Sequence, residues 1–286
     1  MLKFTLVMMI FVYLICETHS NQMGWGRIFH GSNAPFGRYP FVVSLQEKGI
    51  KASSCGGTLL SSKLIITAAH CIVHPYWEGM IAVAGTVNAE NWGKGHQTAN
   101  IVKVIQSGPF PVEDNVNDLA MAVVAPDFVE TDFIKFMPYH RISVNINDEV
   151  EIIGWGIINE SNKTVSILQY AKAQVNDFRI CSAEDAAHEV FVCVRGNIRP
   201  YTFPRYGDSG SPGLYKGKIF GVVSMGIPKG DNGALYAKLS YHHHWIERIL
   251  KKYKYTQLKL RTNEGIRHSG PIWIVAWFFC VFSIIE

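Results

Sequence analysis

The sequence predicts an all-β fold: a closed or doubled β-barrel with a single helix at its C-terminal end. Nine short apolar or alternating runs are separated by Gly, Asn, Asp and Pro, the pattern of strands joined by turns. Only one segment carries helical spacing, and no repeat, low-complexity stretch or linker divides the body of the chain.

In chain order the expected strands are 40–46 (PFVVSLQ), 57–69 (GTLLSSKLIITAA), 80–85, 101–106, 118–124, 150–155, 172–177, 189–194 and 218–225. Most are rich in Val and Ile, whose branched side chains pack well on a pleated surface. In 240–253 (SYHHHWIERILKKY), Trp245, Ile246, Ile249 and Leu250 recur at three- and four-residue intervals, and Ser240 is placed to cap the helix. His242, His243 and His244 are expected to form a solvated helix start, because consecutive helical residues point in different directions. Residues 28–253 therefore read as one domain.

Composition excludes other classes. Hydrophobic residues make up 48% of the 286 residues and charged ones 17%, below the roughly 25% usual in soluble proteins. Neither a disordered chain nor a nucleic-acid binder is so poor in charge. The net charge of +4 is carried largely by 251–270, where Lys251, Lys252, Lys254, Lys259, Arg261 and Arg267 face only Glu264. The body is nearly neutral and has no stripe for a polyanion.

Both ends are apolar. A lysine at position 3, an apolar run from Phe4 to Cys16 and a polar exit read as a secretory signal over 1–20. Residues 21–27 follow as a short segment before the domain. At the other end 254–270 is a basic linker, and Pro271 to Ile285 is an apolar stretch shorter than the ~20 residues of a spanning helix. With no basic flank after it, this tail resembles a lipid-attachment signal, with a short membrane anchor as the alternative. Secretion, or attachment at the cell surface, is the expected location.

Cys16 and Cys280 fall in those ends, which leaves Cys55, Cys71, Cys181 and Cys193 for two disulfides in an oxidising compartment. Nearest-neighbour pairing is the simplest of three arrangements. His70, Cys71 and His74 lack the companion motifs of a zinc site, and neither a metal nor another cofactor is expected.

Three short segments carry chemistry. Thr67-Ala68-Ala69-His70-Cys71 ends an apolar strand; Asn117-Asp118-Leu119-Ala120-Met121 opens another; Gly207-Asp208-Ser209-Gly210-Ser211-Pro212 is a turn of small residues. A serine hydroxyl becomes a nucleophile when a histidine, held in one tautomer by a buried carboxylate, takes its proton. His70, Asp118 and Ser209 supply those three groups. Gly207 allows close approach of a substrate carbonyl, so that the N–H groups of Gly207 and Ser209 can hold an oxyanion. An α/β-hydrolase esterase is excluded, since its elbow is GxSxG in the order Ser, acid, His.

These motifs, together with CGG at 55–57 and GWG at 154–156, resemble the chymotrypsin/trypsin family of secreted serine proteases from Arg27 to near Tyr253. The resemblance implies two six-stranded antiparallel β-barrels packed face to face, a C-terminal helix, and an active site between the barrels. It implies a Cys55–Cys71 bridge and a second between Cys181 and Cys193. Substrates would be proteins or peptides, with an activating protease and protein inhibitors as further partners. The alternative is a catalytically silent homologue acting as a binding module, although all three catalytic positions are filled.

The family is made as zymogens cut after a basic residue. By resemblance the cut falls after Arg27, and the new ammonium of Ile28 pairs with Asp208; Phe29 and His30 depart from the usual small and glycine residues. Arg205 stands where many members have a cysteine, and no cysteine occurs in 210–240. The family's calcium loop falls at 85–96, where few carboxylates occur, so no calcium is expected. The floor of the primary specificity pocket falls at Phe203, with Ser224, Gly226 and Ala234 as walls. Phe203 predicts cleavage after apolar residues and not after Lys or Arg, because a buried ammonium there would lose its hydration without compensation. Asn159 and Asn162 each begin a glycosylation sequon.

Overall fold

Strand β1 (Ser32–Asn33) leads into six strands, β2 (Val42–Glu47), β3 (Cys55–Leu59), β4 (Leu64–Thr67), β5 (Met80–Ala84), β6 (Gln97–Gln106) and β7 (Ala120–Ala125). They close into a barrel in the order β2-β3-β4-β7-β6-β5. This is a computed structural model, and it describes residues 28, 31–72, 76–110, 116–156, 166–181, 188–196, 202–226 and 233–254. The expected signal, the segment 21–27 with Arg27, His74, both sequons, the linker beyond Lys254 and the apolar tail lie outside the described residues.

A second barrel consists of β8 (Glu149–Gly154), β9 (Gln169–Asn176), β10 (Phe191–Arg195), β11 (Pro212–Tyr215), β12 (Lys218–Gly226) and β13 (Ala234–Lys238). Its order is β9-β10-β13-β12-β11-β8, closed by pairing of β8 with β9, and β1 adds to β9 at its side. Every strand pairing is antiparallel, as hairpin connections require. The fold is thus two closed six-stranded barrels followed by helix α1 over 243–254.

Apolar patterning explains the strands. All four residues of β4 (LIIT) are buried, and β7 (AMAVVA) is buried up to its last residue. On β6 the first half alternates as a strand with one wet face does. Burial is what holds the barrels: fully covering a Leu, Ile or Val side chain contributes roughly 1.5–3 kcal/mol.

The structure departs from the expected elements in four places. The run 57–69 is two strands, because Ser61-Ser62-Lys63 turns the chain between Leu59 and Leu64. Strands β1, β11 and β13 lack a long apolar run of their own and are fixed by their neighbours. Ser240 does not cap α1; the first helical acceptor is the carbonyl of His242, which takes the N–H of Ile246. His242 is buried rather than solvated, and burial depresses its pKa to about 4, while His244 faces solvent.

Candidate active site

Register sets the first two groups side by side. Strands β4 and β7 pair with Thr67 opposite Ala120, so His70, three residues beyond Thr67, and Asp118, two before Ala120, leave the barrel at one edge. The backbone N–H of His70 donates to Asp118 Oδ1 at 2.9 Å, and the ring Nδ1 lies 2.8 Å from Oδ2. An ionised carboxylate only accepts, so Nδ1 carries the hydrogen and Nε2 is left as the basic nitrogen. Asp118 is 1% exposed, whereas the His70 side chain is one-third open to solvent. The ring is therefore anchored on Asp118 through Nδ1, while Nε2 lies 3.8 Å from Cys71 Sγ and, among the described residues, has no hydrogen bond to Ser209.

A third donor comes from the other barrel. Ser224 Oγ donates to Asp118 Oδ2 at 2.5 Å. Between Val223 and Met225 the β12–β13 register shifts, a bulge of the kind that re-aims a side chain. Sequence reasoning assigned Ser224 to a pocket wall and missed this contact, which no local motif announces.

The nucleophile candidate sits in the turn before β11. Gly56 N–H donates to the Ser209 carbonyl at 2.7 Å, and Thr67 Oγ1 donates to the Gly56 carbonyl at 2.7 Å. The serine turn is thereby tied to β3 and, through Thr67, to the end of β4 from which the chain leads to His70. Within it, the Asp208 N–H goes to Arg205 O and the Ser211 N–H to Asp208 O, which makes a tight loop. Gly207 has φ of 92° and Gly210 of 78°, left-handed values that a side chain disfavours. Among the described residues no hydrogen bond occupies the N–H groups of Gly207 and Ser209. Both residues line, with His70, a cleft of about 610 Å³ that Tyr206 and Met80 also border. A larger concavity of about 730 Å³ beside α1, lined by Phe136, Met137 and Arg141 among others, includes none of His70, Asp118 and Ser209.

Asp208 is wholly buried. Its carboxylate accepts from Gly156 N–H at 2.8 Å and Arg205 N–H at 2.9 Å. Burial pushes its pKa up to about 7 against the opposing pull of those two donors. Ile28 is also fully buried, in the apolar cluster of the second barrel with Val150, Ile152 and Val192.

At the expected specificity slot the described residues approach closely, and 197–201 and 227–232 beside them lie outside the described residues. Phe203 is 1% exposed, and the Arg205 guanidinium lies over its ring, 5.3 Å from the centroid. A Cβ built on Gly226 would stand 3.3 Å from Pro204 O and 3.7 Å from Arg205 Cα. Ala234 is fully buried.

Both disulfides are formed as the resemblance implied, Cys55 with Cys71 and Cys181 with Cys193. Cys55 and Cys71 lie beside His70, but bonded to each other they offer no thiolate to a metal.

A family model described as Trypsin matches residues 28–246. Mast cell protease 2 of Ovis aries is 26% identical over 249 residues, covering 85% of this chain and 97% of that protein. Cathepsin G of Mus musculus is 24% identical over 231 residues, covering 78% and 88% respectively. Human heparin binding protein has a similar structure, with a TM-score of 0.69 at 21% identity over 77% of this chain and 96% of that one. Mouse neuropsin gives 0.69 at 20% identity over 77% and 98%. At such identities the two structures attest the fold.

Proposed function

Because the chain belongs to the trypsin family of serine proteases, we propose that it is a secreted endopeptidase working through an acyl-enzyme on Ser209. The observation that carries this reading is the buried Asp118 holding His70 Nδ1 at 2.8 Å in a cleft shared with Ser209 and Gly207. His70 Nε2 takes the Ser209 proton as Oγ attacks the scissile carbonyl. The N–H groups of Gly207 and Ser209 receive the developing oxyanion, a contribution of roughly 10²–10³ per donor in kcat. His70 then protonates the leaving amine, and water reverses the sequence on the acyl-enzyme.

Activation follows from Asp208. A buried carboxyl with two N–H donors and, among the described residues, no paired cation is costly to ionise. Cleavage after Arg27 turns the Ile28 amide into an ammonium, which would enter the same interior and pair with Asp208. The activated protein is expected to degrade peptide libraries, whereas Arg27→Gln protein remains intact and inert; hydrolysis by the uncut variant would refute this route.

Cleavage after Lys or Arg is not expected. The Arg205 cation over Phe203 repels a substrate cation, and no acid replaces it at the floor position. Faster hydrolysis of an Arg p-nitroanilide than of a Leu or Phe one would overturn that specificity. A silent homologue acting as a binding module is the second reading, and the observation on its side is the close approach of Gly226 to Pro204 and Arg205.

The remaining features belong to the cell surface. The tail at 271–286 is read as a lipid-attachment signal and one of Asn159 and Asn162 as a glycan site. Release from cells by phosphatidylinositol phospholipase C is the expected result; retention on the membrane fraction would exclude the lipid.

A further inference from the structure

The base of the triad has a second set of neighbours, two sulfur atoms. Cys71 Sγ lies 3.8 Å from His70 Nε2, and the Sγ atoms of Cys55 and Cys71 and a ring nitrogen of His70 all fall within 4.8 Å of one another. A tetrahedral zinc, with bonds of about 2.3 Å to sulfur and about 2.0 Å to nitrogen, sets such ligands about 3.5 Å apart. While the two sulfurs are bonded to each other, neither is a thiolate. Once reduced, the same residues would offer two thiolates and one imidazole, a donor set that suits zinc.

The surroundings suit a metal as well. Asp118 accepts from His70 Nδ1 at 2.8 Å, which leaves the lone pair on Nε2, the nitrogen beside Cys71. Metal-binding histidines are commonly held by a carboxylate in this way, which fixes both tautomer and ring. Cys55, Cys71 and His70 also border the cleft of about 610 Å³, so a reductant and an ion can reach them and water can fill a fourth position. The Cys181–Cys193 bridge forms no such group with a histidine or carboxylate among the described residues.

We propose that Cys55, Cys71 and His70 form a redox-gated zinc site, closed by the disulfide and opened by its reduction. A dithiol reductant gives up two hydrogens and becomes a disulfide, while Cys55 and Cys71 become thiols; zinc then displaces both thiol protons. With Nε2 bound to the metal, His70 has no lone pair to take the Ser209 proton. The silencing rests on the protease reading above, whereas the metal binding does not.

The test uses the full chain cut after Arg27, zinc chloride and a water-soluble phosphine, which takes its oxygen from water as the two sulfurs gain hydrogen and adds no competing thiol. After gel filtration, reduced protein is expected to retain one zinc more than Cys55→Ser/Cys71→Ser protein treated alike, and oxidised protein none. Peptide hydrolysis by the reduced, zinc-loaded chain should fall roughly tenfold or more and return with a chelator. Asp118→Asn keeps all three ligands and should bind zinc roughly 10–100-fold more weakly. Equal zinc on reduced wild type and on Cys55→Ser/Cys71→Ser protein, or equal zinc on oxidised and reduced wild type, overturns this inference. So does binding indifferent to Asp118→Asn, the result if reduction merely unfolds the chain. Oxidised protein that neither hydrolyses peptides nor takes a fluorophosphonate at Ser209 overturns the protease reading, and zinc uptake by the reduced chain still decides the site.

Discussion

The backbone of Gly156 and the carboxylate of Asp208 are in direct contact. The Gly156 N–H donates to Oδ1 at 2.8 Å, and a Cβ on Gly156 would overlap the carboxyl group. The GWG segment and the serine turn therefore fit only while residue 156 has no side chain. Gly156→Ala is expected to displace Asp208, abolish activity and lower stability by about 2–4 kcal/mol. At Gly79 a Cβ meets open space, and Gly79→Ala should leave stability within about 0.5 kcal/mol in the same thermal melt. Equal melting temperatures for the two variants would contradict this.

The protonation of Asp208 makes the uncut chain sensitive to pH. Its folded pKa, about 7, lies above the 3.8 of the unfolded chain, so the native state binds the proton more tightly. That contribution is fully present below pH ~4 and is lost as pH rises through about 7, on the order of 4 kcal/mol in all. Melting of Arg27→Gln protein should therefore weaken between pH 5 and 8, and Asp208→Asn should flatten that slope. A slope unchanged by the substitution would locate the titration elsewhere.

The histidine's orientation depends on Asp118 and, behind it, on Ser224. Asp118→Asn offers a donor or acceptor in the wrong sense to Nδ1 and is expected to lower kcat roughly 10⁴-fold. Ser224→Ala removes the 2.5 Å hydrogen bond to Oδ2 and should lower kcat roughly tenfold, with KM little changed. Steady-state kinetics on one peptide separates the two effects.

Much of this arrangement is legible in the chain. Apolar runs mark most strands, and His70, Asp118 and Ser209 stand in motifs because the chemistry restricts their neighbours. What is not legible depends on register and tertiary fit. β11 begins with a proline and β13 is only five residues long, so each exists through its partners. Ser224 meets Asp118 because a bulge turns it, across 106 residues of sequence. Phe203 is read as the floor position from its place in the motif alone, whereas the close approach of Gly226 to Pro204 depends on tertiary fit. His242 is buried where α1 begins, two residues later than the Ser240 signal implies.

The Cys55–Cys71 bridge closes a 16-residue separation across β3, β4 and the turn that carries His70. Replacing both cysteines with alanine is expected to cost about 3 kcal/mol, read as a lower midpoint in urea at unchanged slope. An unchanged midpoint would mean that the strands alone hold this edge.

The central claim is that cutting after Arg27 assembles a nucleophile at Ser209. Covalent labelling of intact and cut protein by a fluorophosphonate, followed by peptide mapping, measures this directly. Cut wild-type protein should be labelled at Ser209 in near-stoichiometric yield, with no label on Ser209→Ala, on His70→Ala or on uncut Arg27→Gln protein. Absence of label on the cut wild type, or label that persists in Ser209→Ala, would contradict the account.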